Sequence, residues 1–169
     1  LFDTAYYLRQ YPDVAAAGMN PLVHYLEYGT HEDRKPNPLF DSAYYLNKYA
    51  DVKETGTNPL AHYLEYGTHE DRKPNPLFDT AYYIRQYSDV VAASVNPLAH
   101  YLEYGVLQDR KPNSLFDTSY YLKQYPDVAA AGVNPLAHYL EHGAYEERKP
   151  NPLFDSLYYR NKYKDVLEM

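Results

Sequence analysis

Leu1-Phe2-Asp3-Thr4-Ala5-Tyr6-Tyr7-Leu8 opens the chain, and this stretch decides the fold because close variants of it return at a constant interval. The triplet Leu-Phe-Asp recurs every 38 residues without an insertion, beginning at Leu1, Leu39, Leu77, Leu115 and Leu153. The chain therefore holds four full repeats and a partial fifth, spanning 1–38, 39–76, 77–114, 115–152 and 153–169. A strict period of this length is typical of solenoids, in which stacked neighbours bury the apolar faces that one unit cannot bury alone.

The first half of each repeat carries the start and stop signals of two short helices. Asp3 is a favourable N-cap, because its carboxylate accepts hydrogen bonds from the free backbone N–H groups of the first turn. A first helix is predicted from about Thr4 to Tyr11. A second is predicted to begin at Pro12 and to stop at Gly18, in keeping with the preference for proline at helix starts and glycine after helix ends.

The second half of each repeat predicts a third helix followed by a loop. Asn20-Pro21 is an N-cap followed by proline in the first helical position. We expect this helix to end at Gly29 in a left-handed conformation, and its buried side to consist of Leu22, Tyr25 and Leu26. Pro36-Asn37-Pro38 cannot continue a helix. The sequence therefore predicts an all-α fold, an α-solenoid forming a single domain over 1–169.

The composition narrows the possible partners. The chain has 23 Tyr, no Cys and a net charge of −7. Without Cys there is no disulfide framework, thiolate metal site or Cys nucleophile. The acidic balance argues against nucleic acid and anionic membranes. No apolar run approaches the roughly 18 residues that a membrane span needs. The chain shows no signal-peptide pattern and begins inside a motif, so we expect it to be a segment of a longer protein.

The partial fifth unit, 153–169, departs from the pattern at one core position. Arg160 stands where the full repeats carry Leu8, Leu46, Ile84 and Leu122. Terminal repeats of a solenoid need a polar outer face, because nothing stacks on them. The unit is therefore either a C-terminal cap or a repeat cut short, and the sequence leaves both open.

The repeat motif resembles a known class of bacterial repeats. The unit combines Leu-Phe-Asp-(Thr/Ser)-x-Tyr-Tyr-Leu, Tyr-x-Asp-Val, Asn-Pro-Leu-x-His-Tyr-Leu-Glu and Arg-Lys-Pro-Asn. It is similar to tandem repeats of large bacterial surface and secreted proteins, including RTX-type exoproteins, and to units that accompany some bacterial glycosyltransferases. This resemblance implies an extracellular or cell-surface array and no defined activity. Ser94, in place of Gly18, and Val106-Leu107-Gln108, in place of Thr30-His31-Glu32, depart from the pattern.

Nothing in the sequence predicts catalysis or a cofactor. An active site needs a singular set of groups in one cavity, whereas every polar candidate here recurs in several repeats. The best metal candidates are four histidines, each three residues before a Glu on the third helix, namely His24, His62, His100 and His138. Two ligands per repeat are too few for a closed zinc site. We therefore favour a structural, hydrogen-bonded role for these histidines.

An arginine precedes Lys-Pro-Asn in every full repeat, at Arg34, Arg72, Arg110 and Arg148. A guanidinium forms paired hydrogen bonds with a carboxylate. We expect a bond to a carboxylate of the Asp13 type or the Asp3 type that joins neighbouring repeats and fixes how they stack. A row of anion sites is the functional alternative, and the acidic charge of each repeat disfavours it.

The tyrosines are the best candidates for ligand contact. One per repeat falls on the polar side of the first helix, forming a candidate aromatic ladder of Tyr6, Tyr44, Tyr82, Tyr120 and Tyr158. A tyrosine presents a flat apolar face and a hydroxyl, which suits sugar rings and polar partners. Burial between repeats is the alternative. Tyr28, Tyr66 and Tyr104 form a second row, broken by His142.

The sequence and the resemblance together predict a non-catalytic adhesive spacer or assembly surface that contacts polysaccharide. The alternatives are a protein-binding scaffold or targeting module beside an enzyme, and a histidine-based metal array. Self-association through the repeat ends is a further expectation.

Overall fold

The computed structural model describes residues 1–163 and shows the same helical pattern in each repeat. The first helices span Thr4–Gln10, Ser42–Lys48, Thr80–Gln86, Thr118–Gln124 and Ser156–Lys162. The second helices span Pro12–Ala16, Ala50–Glu54, Ser88–Ala92 and Pro126–Ala131. The third helices span Pro21–His24, Pro59–His62, Pro97–His100 and Pro135–His138, and each continues into a π-helical turn, at Tyr25–Gly29, Tyr63–Gly67, Tyr101–Gly105 and Tyr139–Gly143.

The predicted caps begin these helices. The side chain of Asp3 accepts a hydrogen bond from the Tyr6 N–H at 2.9 Å. The side-chain oxygen of Asn20 accepts two, from the N–H groups of Leu22 at 3.0 Å and Val23 at 3.1 Å. These bonds satisfy donors that the first turn of a helix leaves free. Within residues 1–163, β-structure is confined to isolated bridges, Asn37 to Phe40 and Asn113 to Phe116.

An aromatic cluster forms the core of each repeat. Tyr7 and Tyr25 are fully buried, with ring centroids 6.0 Å apart in an edge-to-face arrangement. Phe2 lies against both rings, with centroids 5.2 Å from Tyr7 and 5.8 Å from Tyr25. Tyr45 and Tyr63 form the same cluster with Phe40 in the second repeat. Edge-to-face packing of this kind is favourable beyond the area that it buries.

Neighbouring repeats are joined by hydroxyl groups. Ser42 Oγ donates to the Arg34 carbonyl at 2.9 Å, and it lies 3.0 Å from the hydroxyl of Tyr25. Since a serine has only one hydroxyl proton, Tyr25 donates to Ser42. Thr80 and Thr118 hold the equivalent place against Tyr63 and Tyr101. The first helices of the second, third and fourth repeats are thereby tied to the π-turn of the repeat before them.

The contacts divide the chain into two compact units, Leu1–His100 and Tyr101–Met169. The first holds two complete repeats and the third repeat as far as His100. The second holds the rest of the third repeat, the fourth repeat and the start of the fifth. Both consist of stacked helical repeats, which confirms the all-α solenoid class.

Two expectations about the third helix are wrong. Gly29 ends the helical run but is absent from the residues with positive φ, whereas Gly18 has φ +63°. Gly29 is required for space, because a Cβ there would lie 2.6 Å from the Tyr7 hydroxyl and 2.9 Å from the Tyr25 ring. The left-handed position falls four residues later, at Asp33 with φ +54°.

The second error concerns Leu26, which is 51% exposed and does not belong to the core. Its equivalent Leu64 is also exposed. The prediction used 3.6 residues per turn, but residues 25–29 form a π-turn, which has more residues per turn and rotates the side chains to other directions. Of the predicted stripe, Tyr25 is buried, and Leu22 is exposed in the first repeat although Leu60 and Leu98 are buried.

No helix among residues 1–163 is long and apolar enough to cross a membrane. The prediction of a C-terminal cap rests on Arg160 and on residues up to 169. The side chain of Arg160 and residues 164–169 lie outside the part of the chain that the structure describes.

Candidate functional site

The predicted histidine row is built into the core. The hydroxyl of Tyr7 lies 3.1 Å from Nδ1 of His24, and three equivalent pairs span 2.9–3.0 Å, namely Tyr45–His62, Tyr83–His100 and Tyr121–His138. Burial raises the pKa of Tyr7 to about 12, so its hydroxyl stays protonated. The other nitrogen of His24, Nε2, is 4.0 Å from Glu32. One nitrogen of each imidazole therefore makes a structural hydrogen bond.

The structure assembles no metal site around these histidines within residues 1–163, where no group of three or more His, Asp or Glu side chains converges. Burial and Arg148 lower the pKa of His138, which keeps its imidazole neutral. The metal array stays an untested alternative.

The arginines bind the Asp13-type carboxylates, but within one repeat. Arg34 donates to Asp13 from Nη1 at 3.0 Å and from Nη2 at 2.7 Å. The guanidinium also stacks over the Tyr11 ring, 4.7 Å from its centroid. The prediction that arginine joins neighbouring repeats is therefore wrong, because Arg34 and Asp13 belong to the same repeat. The following lysine makes that link, since Lys35 Nζ lies 2.9 Å from Asp41 of the next repeat.

The candidate ladder on the first helix is largely covered. Tyr6 is 5% exposed, and Tyr44, Tyr82 and Tyr120 are half-buried. Only Tyr158, in the partial repeat, is clearly open, at 62%. Lys48 donates to the Tyr44 hydroxyl at 2.8 Å, so this hydroxyl already has a hydrogen-bond partner within the chain. The expectation of an open face fails at Tyr6, because the first helix is buried on two sides. Ligand contact by these tyrosines is untested.

The second tyrosine row is the exposed one. Tyr28, Tyr66 and Tyr104, hereafter the outer tyrosines, are 48%, 48% and 46% exposed. Each lies in the π-turn of its repeat, and the first two rest on the core histidine, with centroids 5.6 Å apart for His24–Tyr28 and 5.5 Å for His62–Tyr66. The near-equal exposure shows that these three repeats present the ring to solvent to the same extent.

An acidic residue precedes each outer tyrosine. A hydrogen bond with Glu65 raises the pKa of Tyr66, and a bond with Glu103 does the same for Tyr104. In Tyr66 and Tyr104 the hydroxyl is therefore directed to a neighbouring carboxylate, while about half of the side chain faces solvent. A flat ring beside a hydrogen-bond acceptor suits a ligand with both an apolar face and polar groups.

A groove also recurs between consecutive repeats of the first unit. One groove, of about 340 Å³, has Leu26, Leu46 and Val52 among its lining residues. The next, of about 680 Å³, is lined at the equivalent positions by Leu64, Ile84 and Val90. His31 and Asp33 lie at the edge of the first, and His69 and Asp71 at that of the second. Both grooves are concave surfaces that recur with the repeat.

The asparagine that caps the third helix has an unsatisfied side-chain N–H donor in two repeats, at Asn58 and Asn134. Asn96 Nδ2 donates to Thr68 Oγ1 at 3.2 Å, a bond between adjacent repeats. Asn134 occupies the same position one repeat later, but Val106 replaces the threonine, and Asn134 Nδ2 is buried without a partner. Asn58 Nδ2 is also buried without a partner, although Thr30 stands at the threonine position.

The outer tyrosines could have been ranked first from sequence, since Tyr-Gly follows Leu-Glu in three repeats. A helical wheel drawn at 3.6 residues per turn places their side chains incorrectly, because these residues lie in a π-turn. The grooves depend on packing between repeats, for which no sequence signal exists.

Comparisons with protein families, with curated proteins and with solved structures found no match for this chain. The resemblance to bacterial surface repeats therefore stays a prediction.

Proposed function

We propose that this chain is a non-catalytic repeat module of a bacterial surface or secreted protein, where it acts as an adhesive spacer or assembly surface. Its ligand is a polymer, a polysaccharide, that the outer tyrosines contact. The observation that carries this proposal is the matching presentation of Tyr28 and Tyr66, each about half exposed and each resting on the histidine of its repeat, in consecutive repeats.

Repetition favours a polymer over a small molecule. Equivalent surfaces in successive repeats match a ligand whose own groups repeat. Each contact is weak, and the tether between repeats makes the second contact effectively intramolecular, so that several contacts add up to strong binding. Tyr104 presents the same ring in the second unit.

The test is retention on a panel of immobilised polysaccharides. The variant Y28A/Y66A/Y104A should keep its helical circular dichroism and lose retention, because these side chains are half exposed and outside the core. Tyr145 is also exposed but lies in the following turn, so Y145A is the matched control and should bind like the unaltered chain. Equal retention by the triple variant would reject the proposal.

A protein-binding scaffold is the second candidate, and the recurring grooves favour it. Their apolar walls, which include Leu26 in one groove and Leu64 in the next, suit apolar side chains of a partner. The substitution L64E would disrupt partner binding without affecting polysaccharide retention. Self-association through the repeat ends stays a proposal, supported by the exposure of Leu22, whose equivalents Leu60 and Leu98 are buried.

A further inference from the structure

The segment that carries each outer tyrosine is acidic. Residues 25–33, 63–71 and 101–109 run from the buried tyrosine of the π-turn through the turn that follows. They hold three, three and two Asp or Glu residues, and none of them contains Lys or Arg. Residues 139–147, in which His142 replaces the outer tyrosine, hold three acidic residues and also lack Lys and Arg. The local charge is thus negative at every outer tyrosine.

The basic side chains that follow this segment in the first repeat are already paired with carboxylates. Arg34 binds Asp13 and lies 2.5 Å from Glu32 through Nε. Lys35 reaches away from this segment to Asp41. Glu27 and Asp33 remain exposed in the same segment. The acidic charge around Tyr28 is therefore only partly neutralised within the repeat.

Two features of this surface attract a cation. The face of a tyrosine ring attracts ammonium groups electrostatically. A carboxylate beside the ring accepts hydrogen bonds from the same ammonium, and such charge-assisted bonds are stronger than neutral ones. An anionic polymer, in contrast, would meet like charge at each repeat.

We propose that the ligand of the outer tyrosines is a polysaccharide of amino sugars with free ammonium groups. This inference rests on the proposed function and specifies the ligand class. The ring face packs against the apolar C–H face of a sugar, and the preceding glutamate pairs with its ammonium. A lysine-rich peptide supplies the charge but lacks the flat ring-sized face, so the observations favour the sugar.

The test compares matched probes by isothermal titration: a glucosamine hexamer, its fully N-acetylated counterpart, polygalacturonate and hexalysine. The glucosamine hexamer should bind at least about tenfold more tightly than the acetylated one at low salt, a difference near 1.4 kcal/mol. Half-molar salt should remove most of this preference, because it screens exposed charges within a few ångströms. Polygalacturonate should not bind.

Variants separate the charge from the ring. E27Q/E65Q/E103Q keeps size and polarity, and it should bind both hexamers equally. E54Q alters an exposed glutamate on a second helix and serves as the control, with the preference retained. Thermal unfolding by circular dichroism checks that each variant remains folded.

The outcomes distinguish the two proposals. Equal or tighter binding of the acetylated hexamer, still dependent on the outer tyrosines, would overturn the inference and leave the proposed function intact. Binding of hexalysine alone would also overturn it. Absence of binding to every polysaccharide probe would reject both.

Discussion

The hydroxyl of Tyr7 lies 3.1 Å from Nδ1 of His24, seventeen residues away, and the same pair recurs in the next three repeats. This bond joins the first helix to the third inside an aromatic core. The bond therefore holds together the first and third helices, which cover that core. The His24 ring also packs against the outer tyrosine Tyr28.

Removing one of these hydroxyls should destabilise the fold. The substitution Y7F keeps the ring but leaves Nδ1 of the buried His24 without its partner, and leaving a buried polar group unsatisfied costs about 1–3 kcal/mol. Urea unfolding measures the change. Y66F removes an exposed hydroxyl and is the control, with a loss below about 0.5 kcal/mol, as for most surface changes.

The glycine of the π-turn should tolerate no side chain. In G67S the new Cβ would lie 2.5 Å from the Tyr63 ring and 3.1 Å from the Tyr45 hydroxyl, and such overpacking costs about 1–3 kcal/mol or more. G56S is the matched control, because Gly56 has open space around it and Ser94 occupies the equivalent left-handed position in the third repeat. If G67S and G56S lowered the free energy of unfolding equally in urea, crowding around Gly67 would not explain the loss.

Much of this architecture follows from sequence because its signals are local. Asp3 and Asn20 start two helices through their side-chain oxygens, and Gly18 stops one through its left-handed backbone. The role of Gly29 could not be predicted from sequence, because it depends on Tyr7, which is distant in sequence and contacts Gly29 only in the folded chain. The exposure of Leu26 could not be predicted either, because a single π-turn changes which side chains face the core.

A missing hydrogen bond offers a stabilising substitution. Asn96 and Asn134 cap their helices in the same way, so their Nδ2 atoms point alike, but only Asn96 finds a threonine. V106T should give Asn134 the bond that Thr68 gives Asn96, in place of the unbonded arrangement of Thr30 and Asn58, and stabilise the chain by about 0.5–1.5 kcal/mol. T68V should remove the existing bond and destabilise it. Thermal unfolding of both variants checks the pair, and a loss of stability in V106T would contradict this account.

The Asp–Arg pairs should contribute to stability only above strongly acidic pH. A hydrogen bond from Arg72 lowers the pKa of Asp51 below its ordinary 3.8. Because the folded pKa is the lower one, the contribution is complete above 3.8 and is lost as pH falls through the folded value. A double-mutant cycle of D51N and R72Q should show coupling at pH 7 that weakens progressively as the pH falls below 3.8. Coupling that does not weaken as the pH falls below 3.8 would contradict a charge-based bond.

The most direct test of the central claim is the affinity for the glucosamine hexamer as outer tyrosines are removed one by one. The series is the unaltered chain, Y66A, Y28A/Y66A and Y28A/Y66A/Y104A, with the monosaccharide as a second ligand. We predict that hexamer affinity falls steeply with each loss, while binding of the monosaccharide stays weak throughout, because avidity depends on several rings. A folded triple variant that binds the hexamer as tightly as the unaltered chain would contradict the claim.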